Sequence, residues 1–311
     1  MAPPVKISDT PHASKWAQVA FGPDGRIHVC WQEKYIDAAG ADIFYASYEG
    51  KSWQGPVNLK NSPKASAERP YIHCSQDGHI YVAWDQGNAC VLREYDPESN
   101  TWLSPVWVSS SAQGGFEPCV TSDPDGNVYV FWYSDQAGVV YTRARIDKTW
   151  EPIVRMSSGA TSKQGAIAAG KDGWVWSIWR EKQPNNMYKI FYSKRNKTTA
   201  WTPPRVLTWS GWSAVHPHMT VGPDNFAYVV YADVNPYARS DAEIWVARID
   251  QSSNPRELAI PRALQHYPRI VLDSFGNKHV AVQIGPGDFG WGIWYINNIG
   301  GLWKSPQIMP F

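Results

Sequence analysis

The feature that most constrains this chain is one phrase that returns six times. It reads PDGRIHVCW (Pro23 to Trp31), QDGHIYVAW (Gln76 to Trp84), PDGNVYVFW (Pro124 to Trp132) and KDGWVWSIW (Lys171 to Trp179). PDNFAYVVY (Pro223 to Tyr231) and SFGNKHVAV (Ser274 to Val282) are weaker copies. The copies stand roughly 50 residues apart, a spacing within the range of propeller blades. Each phrase reads as a tight turn followed by a strand. The Asp-Gly pair predicts a two-residue hairpin turn with positive φ. The strand is apolar on both faces, so it needs cover on both sides. The predicted strands are 26–32, 79–85, 127–133, 174–180, 226–232 and 277–283.

The rest of each repeat supplies three more strands. One precedes the Asp-Gly turn. A third is the aromatic run in DIFYASY, VVYTRAR, KIFYSKR, EIWVARI and GIWYINN. After it comes a turn ending in Trp53, Trp102, Trp150, Trp201 or Trp303, then a proline-bearing fourth strand. A proline suits an outer edge, where a missing amide donor costs little. The fifth repeat, ELAIPRA, lacks the Trp and diverges most. These features predict an all-β, six-bladed β-propeller with four antiparallel strands per blade. Residues 1–311 are expected to form one domain, with blades at 15–60, 68–110, 116–158, 163–208, 215–263 and 266–309. The N-terminal PPVKIS resembles a fourth strand, so 4–8 is expected to add an edge to the last blade.

Composition narrows the partners. The 18 Trp and 16 Tyr mostly recur at repeat positions and so read first as packing residues. A net charge of +1 offers no global field for nucleic acid or an acidic membrane. No apolar run is long enough to span a bilayer. MAPPVKISDT lacks the apolar core of a signal peptide, which leaves two options open: cytoplasmic, or secreted with the signal removed. Cys30, Cys74, Cys90 and Cys119 show no CxxC spacing and are expected as free thiols. No metal or cofactor motif is present. A carbohydrate ligand and a monomer or weak oligomer are expected.

Aligning the first strands on the turn exposes a rim. Eight residues before the turn stand Trp16, Arg69, Glu117, Gln164, His216 and Tyr267. Six before it stand Gln18, Tyr71, Cys119, Ala166, His218 and Arg269, and the residue between is mostly proline. Just after the second strand come Gln32 and Glu33, Asp85, Arg180 and Glu181, and Asp233. The scaffold repeats while the rim does not. A lectin with one site per blade would repeat its rim. The divergence therefore favours one asymmetric central site. Asp24, Asp77, Asp125 and Asp172 repeat and read as turn formers. His28, His73 and His279 lie inside strands and read as structural.

The order D-x-G, strand, I-x-Y-x-x-S, turn, W-x-x-P-V resembles the BNR or Asp-box repeats of sialidase-like propellers, across nearly the whole chain. YDPESNTW and YEGKSW are partial Asp boxes. The resemblance implies a glycoside hydrolase, a polysaccharide lyase or a sugar-binding protein acting on a glycan with an acidic sugar. Sialidases use three arginines for the substrate acid, which points to Arg69, Arg180 and Arg269. Hydrolysis needs paired carboxylates, for which Glu117, Glu33, Asp85, Glu181 and Asp233 are candidates. Elimination needs an Arg or His neutraliser with a His or Tyr acid/base. His218, His216, Glu117 and Tyr71 are the catalytic candidates. Arg69, Arg180, Arg269, Tyr267, Trp16, Gln18, Glu33, Asp85 and Gln164 are the substrate-binding ones. A lectin using exposed aromatics is the alternative.

Overall fold

The computed structural model describes residues 5–8, 13–34, 40–60, 66–159, 161–208, 211–235, 237, 242–249, 256–263, 265–285 and 292–309. Every element among them is a strand or a turn, in six antiparallel sheets of consecutive strands. The fold is a six-bladed β-propeller. Blade 1 runs Ala13–Phe21, Ile27–Lys34, Ala41–Tyr48 and Trp53–Asn58. Blade 2 begins Ala67–Cys74, Ile80–Gln86 and Ala89–Asp96, and blade 3 begins Phe116–Ser122, Val128–Ser134 and Val139–Ile146. In both, the fourth strand is two short pieces that pair with the third. Blade 4 is Ser162–Ala169, Val175–Lys182, Tyr188–Arg195 and Arg205–Val206. Blade 5 is Ser213–Val221, Ala227–Val234, Ala242–Arg248 and Arg256–Ala263. Blade 6 is Gln265–Leu272, Lys278–Ile284, Gly292–Asn297 and Gln307–Ile308. Each predicted second strand is present, starting one residue later than expected.

The hairpin turn differs from the prediction. In blade 1, Gly25 N–H donates to Gly22 O at 3.1 Å, and Gly22 N–H donates to Arg26 O at 2.9 Å. Only Gly25 has positive φ, at 79°. The loop is therefore a turn followed by one left-handed residue, one residue longer than a two-residue hairpin. The same bond recurs from Gly78 to Ser75, Gly126 to Asp123, Gly173 to Gly170, Asn225 to Gly222 and Gly276 to Asp273. The aspartate stays right-handed and accepts an amide: Asp24 Oδ1 takes Arg26 N–H at 3.0 Å. In blade 3 that role falls to Asp123, which takes the amides of Asp125 and Asn127, both at 3.0 Å.

The N-terminal edge strand has no counterpart among the described residues. Residues 5–8 form no strand, and Pro4 lies outside the described set. Ile7 instead packs against Val29, Trp31 and Ala46 of blade 1.

The chain divides into two compact units, each with its own core. One holds Met1–Ala137 and Tyr141–Val154, the other Gly138–Val140 and Arg155–Phe311. In the first, Cys30, Ile43, Ile72, Val82 and Trp84 join blade 1 to blade 2, and Ala83, Leu92, Val120, Val130 and Trp132 join blade 2 to blade 3. In the second, Ile178, Met219 and Tyr231 join blades 4 and 5, and Val230, Ile244, Ile270 and Val280 join blades 5 and 6. Trp84, Trp132 and Trp179 are fully buried. Each removes on the order of 200 Å² from water, worth at most about 5 kcal/mol. The four cysteines are free thiols, and burial pushes Cys74 up to about 12.

Candidate functional site

Each first strand carries the same irregularity at its start. In blade 2 the register jumps from Glu68 opposite Asp85 to Tyr71 opposite Ala83. Arg69 and Pro70 thus face the single residue Trp84, which makes a β-bulge. The jump recurs after Lys15, Phe116, Lys163, Val215 and His266. The first residue after each jump is left-handed: Trp16 at φ 55°, Arg69 at 50°, Glu117 at 46°, Gln164 at 36°, His216 at 52° and Tyr267 at 49°. These are the six positions that stand eight residues before the turn. The other described non-glycines with positive φ are Asn88, Asn100, Asp147, Lys148, Asn186 and Asn225, all in turns. A left-handed L-residue costs about 1–2 kcal/mol. For Trp and Tyr it is a true outlier. Bulges of this kind re-aim a side chain. Four of the six precede proline, which removes an amide donor where the ladder is already broken.

In the first unit the bulges gather acids around one guanidinium. Arg69 Nη1 donates to Asp85 Oδ2, and Arg69 Nη2 lies 3.2 Å from Glu68 Oε2. The guanidinium carbon sits 3.7 Å from the Phe116 ring centre, and the Arg69 amide donates to Gln32 Oε1 at 3.4 Å. Burial pushes Asp85 up to about 6; Arg69 pulls it down, and Glu68 and Glu117 push it further up. Trp16 is 53% exposed, whereas Gln18, Tyr71 and Glu117 are half-buried. Glu33 lies inside its blade, fully buried, accepting from Trp31 Nε1 at 2.7 Å and Ser14 Oγ at 3.0 Å. Glu181 is held the same way in the second unit, by Trp179 Nε1 at 3.3 Å and Ser162 Oγ at 3.2 Å. Both carboxylates serve as internal acceptors for a core indole. Asp233 is also buried.

In the second unit the bulges gather rings and a cation. His216 and Tyr267 stack with centroids 4.2 Å apart at 26°. His218 Nδ1 accepts the Ile270 amide at 3.3 Å, tying blade 5 to blade 6. Burial drives the His218 pKa down to about 3, helped by the nearby charge of Arg269. It is therefore neutral at physiological pH, with Nδ1 already engaged. Arg269 donates to Pro268 O at 3.2 Å. Arg180 stacks over Tyr188 at 4.5 Å, and Gln164 is half-buried.

The predicted residues thus form two groups, Arg69, Asp85 and Glu117 in one unit and His216, His218, Tyr267 and Arg269 in the other. Sequence reasoning missed Phe116, which sits under Arg69. Its only signal was a bulky residue one place before the rim position.

No family model and no curated protein matches the chain. Solved structures do. An ulvan lyase of a polysaccharide lyase family aligns at TM-score 0.66 and 11% identity, covering 92% of this chain and 81% of its own. An α-L-arabinanase from Penicillium chrysogenum aligns at TM-score 0.60 and 13% identity, covering 88% and 90%. A NanB sialidase from Streptococcus pneumoniae aligns at TM-score 0.60 and 10% identity, covering 89% and 67%. At such low identities the likeness establishes the propeller fold.

Proposed function

We propose that this chain is a carbohydrate-active propeller that hydrolyses glycosidic bonds at Asp85 and Glu117. One observation carries the reading: Asp85 is buried against Arg69, and burial together with the charges of Glu68 and Glu117 raises its pKa to about 6. Two carboxyls in unlike environments are the chemistry of glycoside cleavage. Asp85, with its pKa up at about 6, protonates the leaving oxygen. Glu117 acts on the anomeric carbon, directly or through water. Arg69 and Phe116 hold Asp85 in place. The solved neighbours that act on glycans support the carbohydrate class, and YDPESNTW reads as a degenerate Asp box.

A second reading is elimination beside a uronate. The favouring observation is the His216–Tyr267 stack with Arg269 two residues on, an acid/base and neutraliser set. Tyr71 and His218 then have supporting roles. Both readings are tested by incubating the protein with arabinan, sialylated glycans and polyuronates. New reducing ends without an unsaturated sugar, lost in Asp85→Asn and Glu117→Gln, support hydrolysis. An ultraviolet-absorbing unsaturated product supports elimination. Binding without products leaves the lectin.

A further inference from the structure

We propose that the turn face of the second unit docks on an anionic lipid surface, with Phe275, Ile299 and Leu302 entering the headgroup layer and the lysines around them meeting lipid charge. The proposal is independent of the glycan chemistry. The rim residues stand at the opposite ends of these strands: Tyr267 lies near the start of Gln265–Leu272, and the turn that carries Phe275 follows its end.

Blade 6 departs from the repeat at two turns. Blades 3 and 6 build the turn between their first and second strands alike. Asp123 accepts the amides of Asp125 and Asn127 at 3.0 Å each, and Asp273 accepts those of Phe275 and Asn277 at 2.9 Å each. The Phe275 side chain takes no part in that network. It stands where the other five repeats carry aspartate, and it is 89% exposed. The turn after the third strand repeats the exchange. The residue before the closing Trp is Ser52, Thr101, Thr149 or Ala200 in blades 1 to 4, but Leu302 in blade 6, 71% exposed. Ile299 of the same turn is 46% exposed. The Lys278 amide donates to Asn298 Oδ1 at 2.6 Å, and the Asn298 amide donates to Lys278 O at 3.1 Å. Three large apolar side chains thus stand on two joined tips.

The charge around the tips selects the occupant. The Lys171 amide donates to Asn225 Oδ1 at 2.9 Å, and the Pro223 ring lies beside Gly276, so the turns of blades 4, 5 and 6 share one face. Its described turns, at 170–174, 194–201, 222–226, 273–278 and 298–304, carry six cations and three carboxylates. Those carboxylates already accept bonds at their own turns: Asp172 from the Trp174 amide, Asp224 from the Tyr228 hydroxyl and Asp273 as above. Lys171, Lys197 and Lys304 are exposed. The matching turns of the first unit, at 22–26, 48–53, 75–79, 95–102, 123–127 and 145–150, carry four cations and eight carboxylates. The chain's net charge of +1 conceals this split. Three side chains so exposed offer roughly 350 Å² of apolar surface. That is under half of the about 800 Å² that each partner of a specific protein complex buries. A bilayer sets no such threshold. Apolar tips enter among its lipids, aromatic rings favour its interface, and nearby lysines are drawn to anionic headgroups.

The test floats the full chain with vesicles of phosphatidylcholine alone and of phosphatidylcholine containing about 30% phosphatidylserine. Wild type should bind the anionic vesicles at least about tenfold tighter than the neutral ones. That margin should vanish in about 1 M salt, where charges are screened within about 3 Å. Phe275→Asp restores the residue of the other repeats, and Leu302→Thr restores that of blades 2 and 3. Each should weaken binding to anionic vesicles at least about tenfold with the urea midpoint unchanged. Lys171→Gln combined with Lys304→Gln should cost at least about tenfold on anionic vesicles and nothing on neutral ones. The docking face is overturned if wild type fails to float with anionic vesicles, or binds both compositions equally. It is also overturned if either tip variant floats as wild type, or lowers the urea midpoint as loss of a packing residue would. Sedimentation equilibrium covers the other occupant. A wild-type dimer that Phe275→Asp converts to monomer would assign the tips to a second copy and overturn the lipid surface.

Discussion

The junction of blades 2 and 3 and the junction of blades 5 and 6 share one backbone and two chemistries. Each has left-handed residues followed by proline, and each stacks one rim side chain on the next blade. Arg69 lies over Phe116 at 3.7 Å, and His216 lies over Tyr267 at 4.2 Å. Around the first stand Glu68, Asp85 and Glu117; near the second stand a neutral His218 and Arg269. The main chain sets where a side chain points. The residue alone sets what it does there. One junction gathers acids around a guanidinium, the other sets a cation near an aromatic pair.

The largest expected effect would break this contrast. Asp85→Asn should lower the turnover of any hydrolysed glycan by about 10²–10⁴-fold, the span of a lost general acid. The wild-type kcat/KM should fall as pH rises through about 6, where Asp85 gives up its proton. Arg269→Gln should leave that pH limb in place. Retention of turnover within tenfold in Asp85→Asn would remove the acid role.

Acid stability should separate the two junctions next. His73 bridges blades 2 and 3: its Nε2 accepts the Ser122 amide at 3.1 Å, and burial lowers its pKa to about 4. A histidine with a depressed folded pKa gives stability that is complete above the unfolded value of 6.5. That stability is lost as pH falls toward the folded value. The windows are 6.5 to about 4 for His73 and 6.5 to about 3 for His218. The stability at stake is at most about 3 kcal/mol for His73 and about 5 kcal/mol for His218. Asp85 has the opposite sign. Its raised pKa means stability declines as pH rises from 3.8 to about 6, so acid favours the fold there. The two partly cancel at the first junction, while His218 at the second has no such opposing acid among the cited shifts. Hydrogen exchange between pH 6 and 4 should therefore open the Ile270 amide before the Ser122 amide. Simultaneous opening would mean that these groups do not govern the junctions. His73→Gln keeps an acceptor that does not titrate, and it should flatten the acid limb of urea midpoints.

Much of the fold was legible because burial on both faces and turn chemistry are local properties. The six second strands were located from the returning turn-and-strand phrase, which carries Asp-Gly in four of its six copies. The rim positions were also found, by counting back from the turn. Their left-handed backbone was not, although Arg69-Pro70, Glu117-Pro118, His216-Pro217 and Tyr267-Pro268 hinted that the ladder breaks there. Glu33 shows the limit. Gln32 and Glu33 are neighbours in sequence, yet period-two alternation sends Glu33 inward to the Trp31 indole. Which carboxylate meets a core indole depends on packing, which the sequence does not display.

The smallest expected effect tests the shared backbone. Gln164→Gly and Glu117→Gly should each stabilise the fold by about 1 kcal/mol by relieving a left-handed residue. Thermal unfolding of both variants checks this, and a lowered midpoint in either would mean that its side chain packs more than it strains.

The bulge has an evolutionary consequence. At most positions of a β-sheet, exchanging one residue type for another shifts both the chemistry and the neighbours. At a site whose direction is fixed by the main chain, and whose conformational penalty falls on nearly any side chain, selection can try acids, bases and rings with the scaffold unchanged. Trp16, Arg69, Glu117, Gln164, His216 and Tyr267 already record such sampling within one molecule. A saturation library confined to these codons should therefore retain an unusually high proportion of folded members, and would be an economical starting point for directing this propeller toward new ligands.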